Sequence, residues 1–314
     1  MDDRSRTEPR SGTLARMRPT LRPGTHVLRR GGHELQVGLD PGGALVLTGT
    51  RPVRESLRLL TASADLREYD DAATVELLRA HDLVVDDRDV KQPLADGGLS
   101  RAAAAALTRS AGPRAGDAAR ARRSCRVEVR GFGHPVGEGL PGRLRSLLRA
   151  GGVGEPGPGP DPTPGAGAEP DCGVLVGVGE PERERLDGWT RAGTPYLLVR
   201  LAEGRAVVGP FVVPGSTACL RCVDAHCSDA DPAWPLLVRQ YADASSRDRP
   251  DGVTEPLDPL LATLALSWAA RDVASYAERA RPSTWSATVT LHPQLTRLDT
   301  DRWPRHPGCG CSWA

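Results

Sequence analysis

The chain has 314 residues, 39% of them hydrophobic, which is enough for one large core or two modest ones and excludes a small disulfide-stapled scaffold. Its 41 Lys and Arg residues balance 40 Asp and Glu residues, so bulk charge does not favour nucleic acid or anionic lipid. The first residues contain no apolar run typical of a signal peptide, and the longest such run, 260–270, is too short for a membrane span. We therefore expect a cytoplasmic protein with no membrane or nucleic-acid partner, whose seven cysteines are free thiols, metal ligands or reactive groups.

The first 90 residues predict a small module. Residues 1–18 are polar and basic with Pro and Gly, so we expect a disordered tail there. From Thr25, three short apolar alternations separated by glycine-containing turns predict a three-stranded meander. Apolar residues at helical spacing over 51–61 and 72–81 predict two helices after the strands. We expect a winged-helix-like module over residues 19–90.

Two further segments follow this module. Residues 91–124 hold one Ala-rich helix candidate and a stretch rich in Gly, Pro and Arg, which we interpret as a connector. From Cys125, a short strand, a glycine-rich turn and a helix at 140–150 predict a β-turn-α opening. The apolar run at 173–179 is typical of a strand buried on both faces of a parallel sheet. Residues 125–314 therefore predict a doubly wound α/β sheet domain.

One stretch of this second domain lacks a predicted strand. Pro and Gly make up more than half of residues 151–171, where the second strand of a βαβ unit is expected. We expect no regular strand there.

Two close cysteine pairs predict a metal site. Cys219 and Cys222 are three residues apart, and Cys309 and Cys311 lie near the end of the chain. Four thiolates brought to one point match the tetrahedral preference of zinc, and a closed four-cysteine set makes the role structural because no position stays open for water. The alternative is four unrelated thiols, and Cys227 or His306 could replace a ligand.

The turn that opens the second domain resembles a damaged phosphate-binding loop. Gly131 and Gly133 occupy the first two glycine positions of a G-x-G-x-x-G pattern, but Val136 occupies the third and Pro135 lacks an amide donor. The ribose-binding carboxylate is expected within the Pro/Gly tract, where no strand would orient it. We predict no ATP binding; the glycines then serve close packing of strand and helix.

The motifs of the second domain resemble the ThiF-like, ubiquitin-activating adenylyltransferase family. More narrowly, GPFVVPGSTACLRCVDAHCSDADPAWP with the terminal HPGCGC is similar to ocin-ThiF-like proteins of ribosomal peptide natural-product clusters, which work with a YcaO cyclodehydratase to make thiazoles and oxazoles. The resemblance implies zinc at the four paired cysteines and an N-terminal module similar to the PqqD-like precursor recognition element. It also implies that a leader peptide adds as a strand beside the third strand and the helix at 72–81, with these contacts: Ala44, Leu45, Val46, Leu47, Thr48, Val75, Leu78 and Arg79.

The resemblance also separates catalysis from binding. Active ThiF-like enzymes use basic side chains, including a lysine, around the triphosphate, whereas the single lysine of this chain, Lys91, lies in the connector. We therefore expect a noncatalytic, homodimeric protein that binds the precursor leader and presents it to a YcaO cyclodehydratase.

Two other functions compete with that expectation. One is an ATP-dependent adenylating enzyme. The other is a winged-helix DNA-binding regulator, but residues 19–90 hold nine Arg against twelve Asp and Glu, the wrong sign for a domain that neutralises phosphates.

Overall fold

The computed structural model describes residues 18–64, 71–95, 98–154, 157–158 and 169–313, so the expected tail lies almost wholly outside the described residues. The chain divides into two compact units with the boundary between Arg120 and Ala121.

The N-terminal unit is built from short strands and short helices. Its elements in chain order are β1 (Pro19–Leu21), β2 (Val27–Gly31), β3 (Glu34–Val37), β4 (Leu45–Thr48), α1 (Arg51–Thr61), α2 (Ala72–Ala80), β5 (Val84–Asp86), α3 (Asp87–Ala95) and α4 (Arg101–Ala111). The predicted meander is confirmed: β2, β3 and β4 form an antiparallel sheet in that order, with Leu35 opposite Leu47. A second sheet, which the sequence analysis misses, pairs β1 with β5.

Local capping explains where the helices of this unit begin. The Thr50 hydroxyl accepts a hydrogen bond from the Val53 amide at the start of α1, and the Asp71 carboxylate accepts one from Thr74 at the start of α2. Apolar residues of β3, β4, α1 and α2 then form one core, which includes Leu35, Val37, Leu47, Leu57, Leu60, Val75 and Leu78.

The segment interpreted as a connector is mostly helical. Within 91–124 the structure places the end of α3, then α4 and α5 (Ala115–Ser124), and Ser100 caps α4 through the Ala103 amide. A small core of Leu107, Ala115, Ala118 and Ala119 joins α4 to α5. Alanine buries little area per residue, so the hydrophobic pattern of this stretch is weak. Alanine nonetheless strongly favours helix and permits close packing of helices.

The C-terminal unit contains one seven-stranded sheet. Its elements are β6 (Val127–Gly133), α6 (Leu140–Ala150), β7 (Gly157–Pro158), β8 (Cys172–Val178), α7 (Glu184–Ala192), β9 (Tyr196–Ala202), β10 (Arg205–Val212), α8 (Leu220–Ala230), α9 (Trp234–Ala244), α10 (Pro259–Ala277), β11 (Ala287–Leu291) and β12 (Leu298–Arg302). The strand order is β12-β11-β10-β9-β8-β6-β7; β7, β6, β8 and β9 run parallel, and β9 to β12 are antiparallel neighbours.

Both faces of this sheet are covered. Residues of α6 and α10 pack on one face, and residues of α7 and α8 pack on the other. The apolar run predicted as a doubly buried strand is β8, in which all seven residues are buried. Among the described helices, none combines the length and hydropathy needed to cross a membrane.

The Pro/Gly tract contributes very little to the sheet. No strand was expected in it, but residues 157–158 form the two-residue edge strand β7 against β6. An edge position is compatible with Pro158 because proline has no amide hydrogen to donate to a ladder. Residues 155–156 and 159–168 lie outside the described part of the chain.

Candidate functional site

The two cysteine pairs converge at the start of α8. Cys219 precedes the first turn of that helix, Cys222 lies within it, and the segment after β12 brings Cys309 and Cys311 to the same point. The Sγ atoms of Cys219 and Cys222 are 3.8 Å apart, those of Cys219 and Cys309 are 3.7 Å apart, and those of Cys222 and Cys311 are 3.4 Å apart. All four lie within 4.8 Å of one another.

These distances fit a tetrahedral ion. Zinc–sulfur bonds of about 2.3 Å give a tetrahedron with sulfur–sulfur edges of about 3.8 Å. A disulfide is excluded because its sulfur atoms would be about 2.0 Å apart. The cluster could therefore bind a metal, and zinc is the ion that suits four thiolates.

The electrostatics of the cluster favour a cation. Burial raises the pKa of Cys219 well above its ordinary value and raises that of Cys311 to about 11. Burial acts in the same direction on Cys222, but hydrogen bonds from the His306 backbone and the Cys311 thiol outweigh it and lower the pKa of Cys222. Because burial opposes ionisation of Cys219 and Cys311, metal binding at these two thiols would release protons.

The two alternative ligands do not join this cluster. His306 accepts a hydrogen bond from the Gly308 amide at Nδ1 and lies 3.0 Å from Asp229 at Nε2. An imidazole that accepts at Nδ1 carries its proton on Nε2, which then donates to Asp229. His306, Asp229 and His226 also form a group of potential metal ligands, but this tautomer makes the His306–Asp229 contact a hydrogen bond.

The glycine-rich turn after β6 is shaped by packing of β6 against β8. Gly133 has a φ of +77°, and a Cβ at this position would lie 1.9 Å from the Val178 carbonyl oxygen, so no other residue fits. A Cβ at Gly131 would lie 3.1 Å from the Pro141 ring. Close packing therefore explains why both positions are glycine, without any ligand.

The amides of the same turn are already used. His134 donates to the Val178 carbonyl, Val136 donates to Nδ1 of His134, Gly137 donates to the His134 carbonyl, and Pro135 has no amide hydrogen. A phosphate-binding turn needs amides that point at the ligand. The residues present at this turn therefore do not fit the phosphate groups of a nucleoside triphosphate, because their amides are engaged within the protein.

A buried ion-pair network lies beside this turn, and the sequence analysis missed it. Glu180 follows β8, Arg200 lies near the end of β9, and Arg183 precedes α7. All three side chains are at most 14% exposed, and each of the two arginines forms an ion pair with Glu180. The available signal was an arginine within the otherwise apolar run TPYLLVRLA.

The predicted peptide-binding strand is an edge strand. β4 pairs only with β3 among the described residues. Leu47 is buried in the unit's own core and Leu45 packs partly against it, whereas Val46 is 40% exposed and Thr48 is exposed; Ala44 lies just before the strand and is half-buried. The edge contains no charge and no proline, so its backbone groups can pair with a visiting strand.

Two residues expected to select leader side chains need correction. Val75 and Leu78 are 3% and 0% exposed and belong to the core of the unit, because α2 packs the face that carries them inward. Arg79 is half-buried and lies 3.8 Å from Glu76. The exposed positions of α2 near these residues are Glu76, Leu77 and Ala80.

The single lysine lies far from the glycine-rich turn in sequence and in a different unit. Lys91 belongs to α3, where its ammonium is 2.5 Å from the Asp87 carboxylate.

Comparison with known proteins establishes the fold. The sequence matches no protein-family model, and no curated protein matches it. The structure of the heterocyclase TruD is similar with a TM-score of 0.67 and 18% identity, over 94% of this chain and 43% of TruD. A heterocyclase in complex with substrate and cofactor gives 0.66 and 20%, over 93% and 39%. E. coli MccB with ATP gives 0.59 and 14%, over 94% and 99%.

The chain thus spans less than half of the two heterocyclases and nearly all of MccB. A coverage of 94% includes most of both units. These neighbours share the α/β fold of this chain.

Proposed function

We propose that this chain is a noncatalytic protein that binds the leader of a ribosomally made precursor peptide and presents the peptide to a YcaO-type cyclodehydratase. The observation that carries the proposal is the uncharged edge of β4 in a unit separate from the metal cluster. Strand addition uses backbone hydrogen bonds for affinity and therefore needs an edge of this kind. The N-terminal unit would act as the precursor recognition element.

Two of the structural neighbours are heterocyclases that are longer than this chain. This chain spans 43% of TruD and 39% of the second heterocyclase, which is a structure with substrate bound. Under the proposal, the ring-forming chemistry belongs to a separate chain that works with this one on thiazoline or oxazoline formation.

The metal cluster has a supporting role in this proposal. Zinc held by Cys219, Cys222, Cys309 and Cys311 would join the start of α8 to the C-terminal segment. A closed four-cysteine site is structural, and the energy of metal binding contributes to folding.

Adenylation is the second candidate function, since MccB has solved structures with ATP and with MccA and matches this chain over almost its whole length. Against it stand the occupied amides of the glycine-rich turn and the location of Lys91. A DNA-binding regulator is disfavoured by the net charge of −3 over residues 19–90.

Two measurements on the full-length protein test the proposal. Fluorescence polarisation with a labelled leader of the cognate precursor is expected to show saturable binding, and the partner cyclodehydratase is expected to modify the precursor only when this chain is present. ATP–pyrophosphate exchange by the chain alone, dependent on precursor, would replace the proposal with adenylation.

A further inference from the structure

The carboxylate of Glu180 is enclosed by two arginines. Its side chain is 7% exposed and follows directly on the buried strand β8. Nη1 of Arg200 lies 2.7 Å from one carboxylate oxygen and 2.9 Å from the other, and Nη1 of Arg183 lies 2.8 Å from the first. Parallel pairing aligns Gly177 of β8 with Arg200 of β9, which brings the guanidinium to this edge of the sheet.

The network extends from the sheet to the neighbouring helices. Arg183 forms a two-pronged pair with Asp224 of α8 at 2.7 and 2.8 Å, and Trp234 of α9 donates to the same carboxylate at 3.0 Å. Burial alone would lower the pKa of Arg183, but Asp224 and Glu180 outweigh it and raise that pKa. Two cations and two anions balance, so the network is electrically neutral.

The position of Glu180 is tightly constrained. Gly179 has a φ of +93°, and a Cβ on it would lie 2.3 Å from the Ser245 hydroxyl, which also accepts a 3.4 Å hydrogen bond from the Glu180 amide. This turn lies at the carboxyl ends of β6, β8 and β9, the edge at which open α/β sheets bind ligands. The protein thus directs a carboxylate of its own to the usual ligand edge.

We propose that Glu180 is an internal anion occupying a latent oxyanion site formed by Arg183 and Arg200. Forked guanidinium pairs are the side chains that best hold carboxylate or phosphate. Nε of Arg200 is buried and has no hydrogen-bond partner within the described residues, so the site has a donor beyond those used by Glu180. Withdrawal of the carboxylate would leave Arg183, Arg200 and Asp224 with a net charge of +1, around a cavity that suits a small oxyanion such as phosphate.

This inference goes beyond the proposed function by naming the residue that excludes phosphates from the ligand edge. A different role, in which Glu180 binds a magnesium ion, conflicts with the contacts. Both carboxylate oxygens accept from guanidinium groups, and two adjacent positive charges repel a divalent cation.

Thermal unfolding of full-length variants tests the proposal. Glu180→Ala opens the site, and Glu180→Gln keeps the shape but removes the charge; Glu182→Gln is the matched control, since Glu182 is 72% exposed and 3.7 Å from Arg185. Sodium phosphate, compared with sodium chloride at equal ionic strength, is expected to raise the Tm of Glu180→Ala by about 5 °C at a hundredfold excess over its Kd. The wild type and Glu182→Gln are expected to show no such shift.

A double variant separates anion binding from general loss of packing. Glu180→Ala with Arg200→Met removes half of the site and is expected to lose the phosphate response. If Glu180→Ala does not fold in chloride, it is expected to refold in phosphate, and failure there contradicts the proposal. Equal phosphate shifts in wild type and variants, or Mg-ATP binding by the wild type that Glu180→Gln abolishes, would overturn it.

The proposed function can fail independently of this inference. Leader affinity of Glu180→Ala is expected to equal that of the wild type, because the β4 edge belongs to the other unit. Absence of leader binding by every variant and the wild type would contradict the proposed function while leaving the anion response as measured.

Discussion

The two main sheets differ in how their edges are protected. In the seven-stranded sheet, the edge strand β12 carries Asp299, Asp301 and Arg302, and the opposite edge is the two-residue β7. In the three-stranded sheet, β2 carries Arg29 and Arg30, but β4 carries no charge at all. Charged or very short edges discourage pairing with another strand, and β4 lacks both devices.

Neighbouring side chains also stabilise the charge on the protected edge strand β12. A hydrogen bond from Arg297 lowers the pKa of Asp299 on β12, with a further contribution from His292, so this carboxylate keeps its charge as the pH falls below the ordinary value. The edges of the seven-stranded sheet are thus protected by charge or by short length, whereas the β4 edge of the three-stranded sheet stays available for pairing. The following predictions test that difference.

Removal of one cysteine ligand should have the largest effect, and only on the unit that contains the metal cluster. Cys222→Ser is expected to reduce zinc to well below one ion per chain and to destabilise the C-terminal unit by about 5 kcal/mol or more, because metal binding is coupled to folding. Elemental analysis and thermal unfolding measure this. Cys227→Ser, a half-buried cysteine outside the cluster, is the control and should retain the metal.

A proline in the unprotected edge should abolish leader binding. Val46→Pro removes a backbone donor from β4 and is expected to weaken leader affinity at least about a hundredfold, with zinc content unchanged. Fluorescence polarisation measures the affinity. Thr300→Pro, at the centre of β12, is the matched control and should leave leader binding intact. Wild-type affinity in a folded Val46→Pro variant would show that the leader binds elsewhere.

We expect self-association to use neither the β4 edge nor the β12 edge. We expect a homodimer formed through α10, where Leu260 is 76% and Leu264 is 43% exposed although eight other residues of the helix are buried. Leu264→Glu should raise the dimer dissociation constant roughly tenfold by light scattering across concentrations. If Val46→Pro produces monomers instead, the β4 edge is left open for dimer formation and not for a leader peptide.

A charge on β4 should have the smallest effect. Val46→Lys gives β4 the protection that β2 and β12 already have and should weaken leader binding about fivefold, with little loss of stability because the side chain is 40% exposed. Val46→Thr is the control and should bind as the wild type does, since threonine is uncharged and β-branched like valine and leaves the edge open to main-chain pairing. Equal affinity of the Lys and Thr variants would mean that edge charge does not control this contact.

Features that depend on neighbouring residues could be predicted from the sequence. Turn signals and alternation located the meander, an apolar run located β8, and the spacing within each cysteine pair indicated a metal site. Such patterns are local because backbone conformation and the side on which a residue lies repeat over a few positions. The fold class of the second domain followed from the same periodicities.

Contacts between side chains that are distant in the sequence became evident from the folded structure alone. Val75 and Leu78 face the core because of how α2 packs, and the turn amides are used because β6 lies close to β8. The pairing of Arg200 with Glu180 depends on the parallel register of β8 and β9, which no short sequence pattern encodes. Long-range contacts arise from strand register and helix packing, so their partners could be identified only after the sheet was assembled.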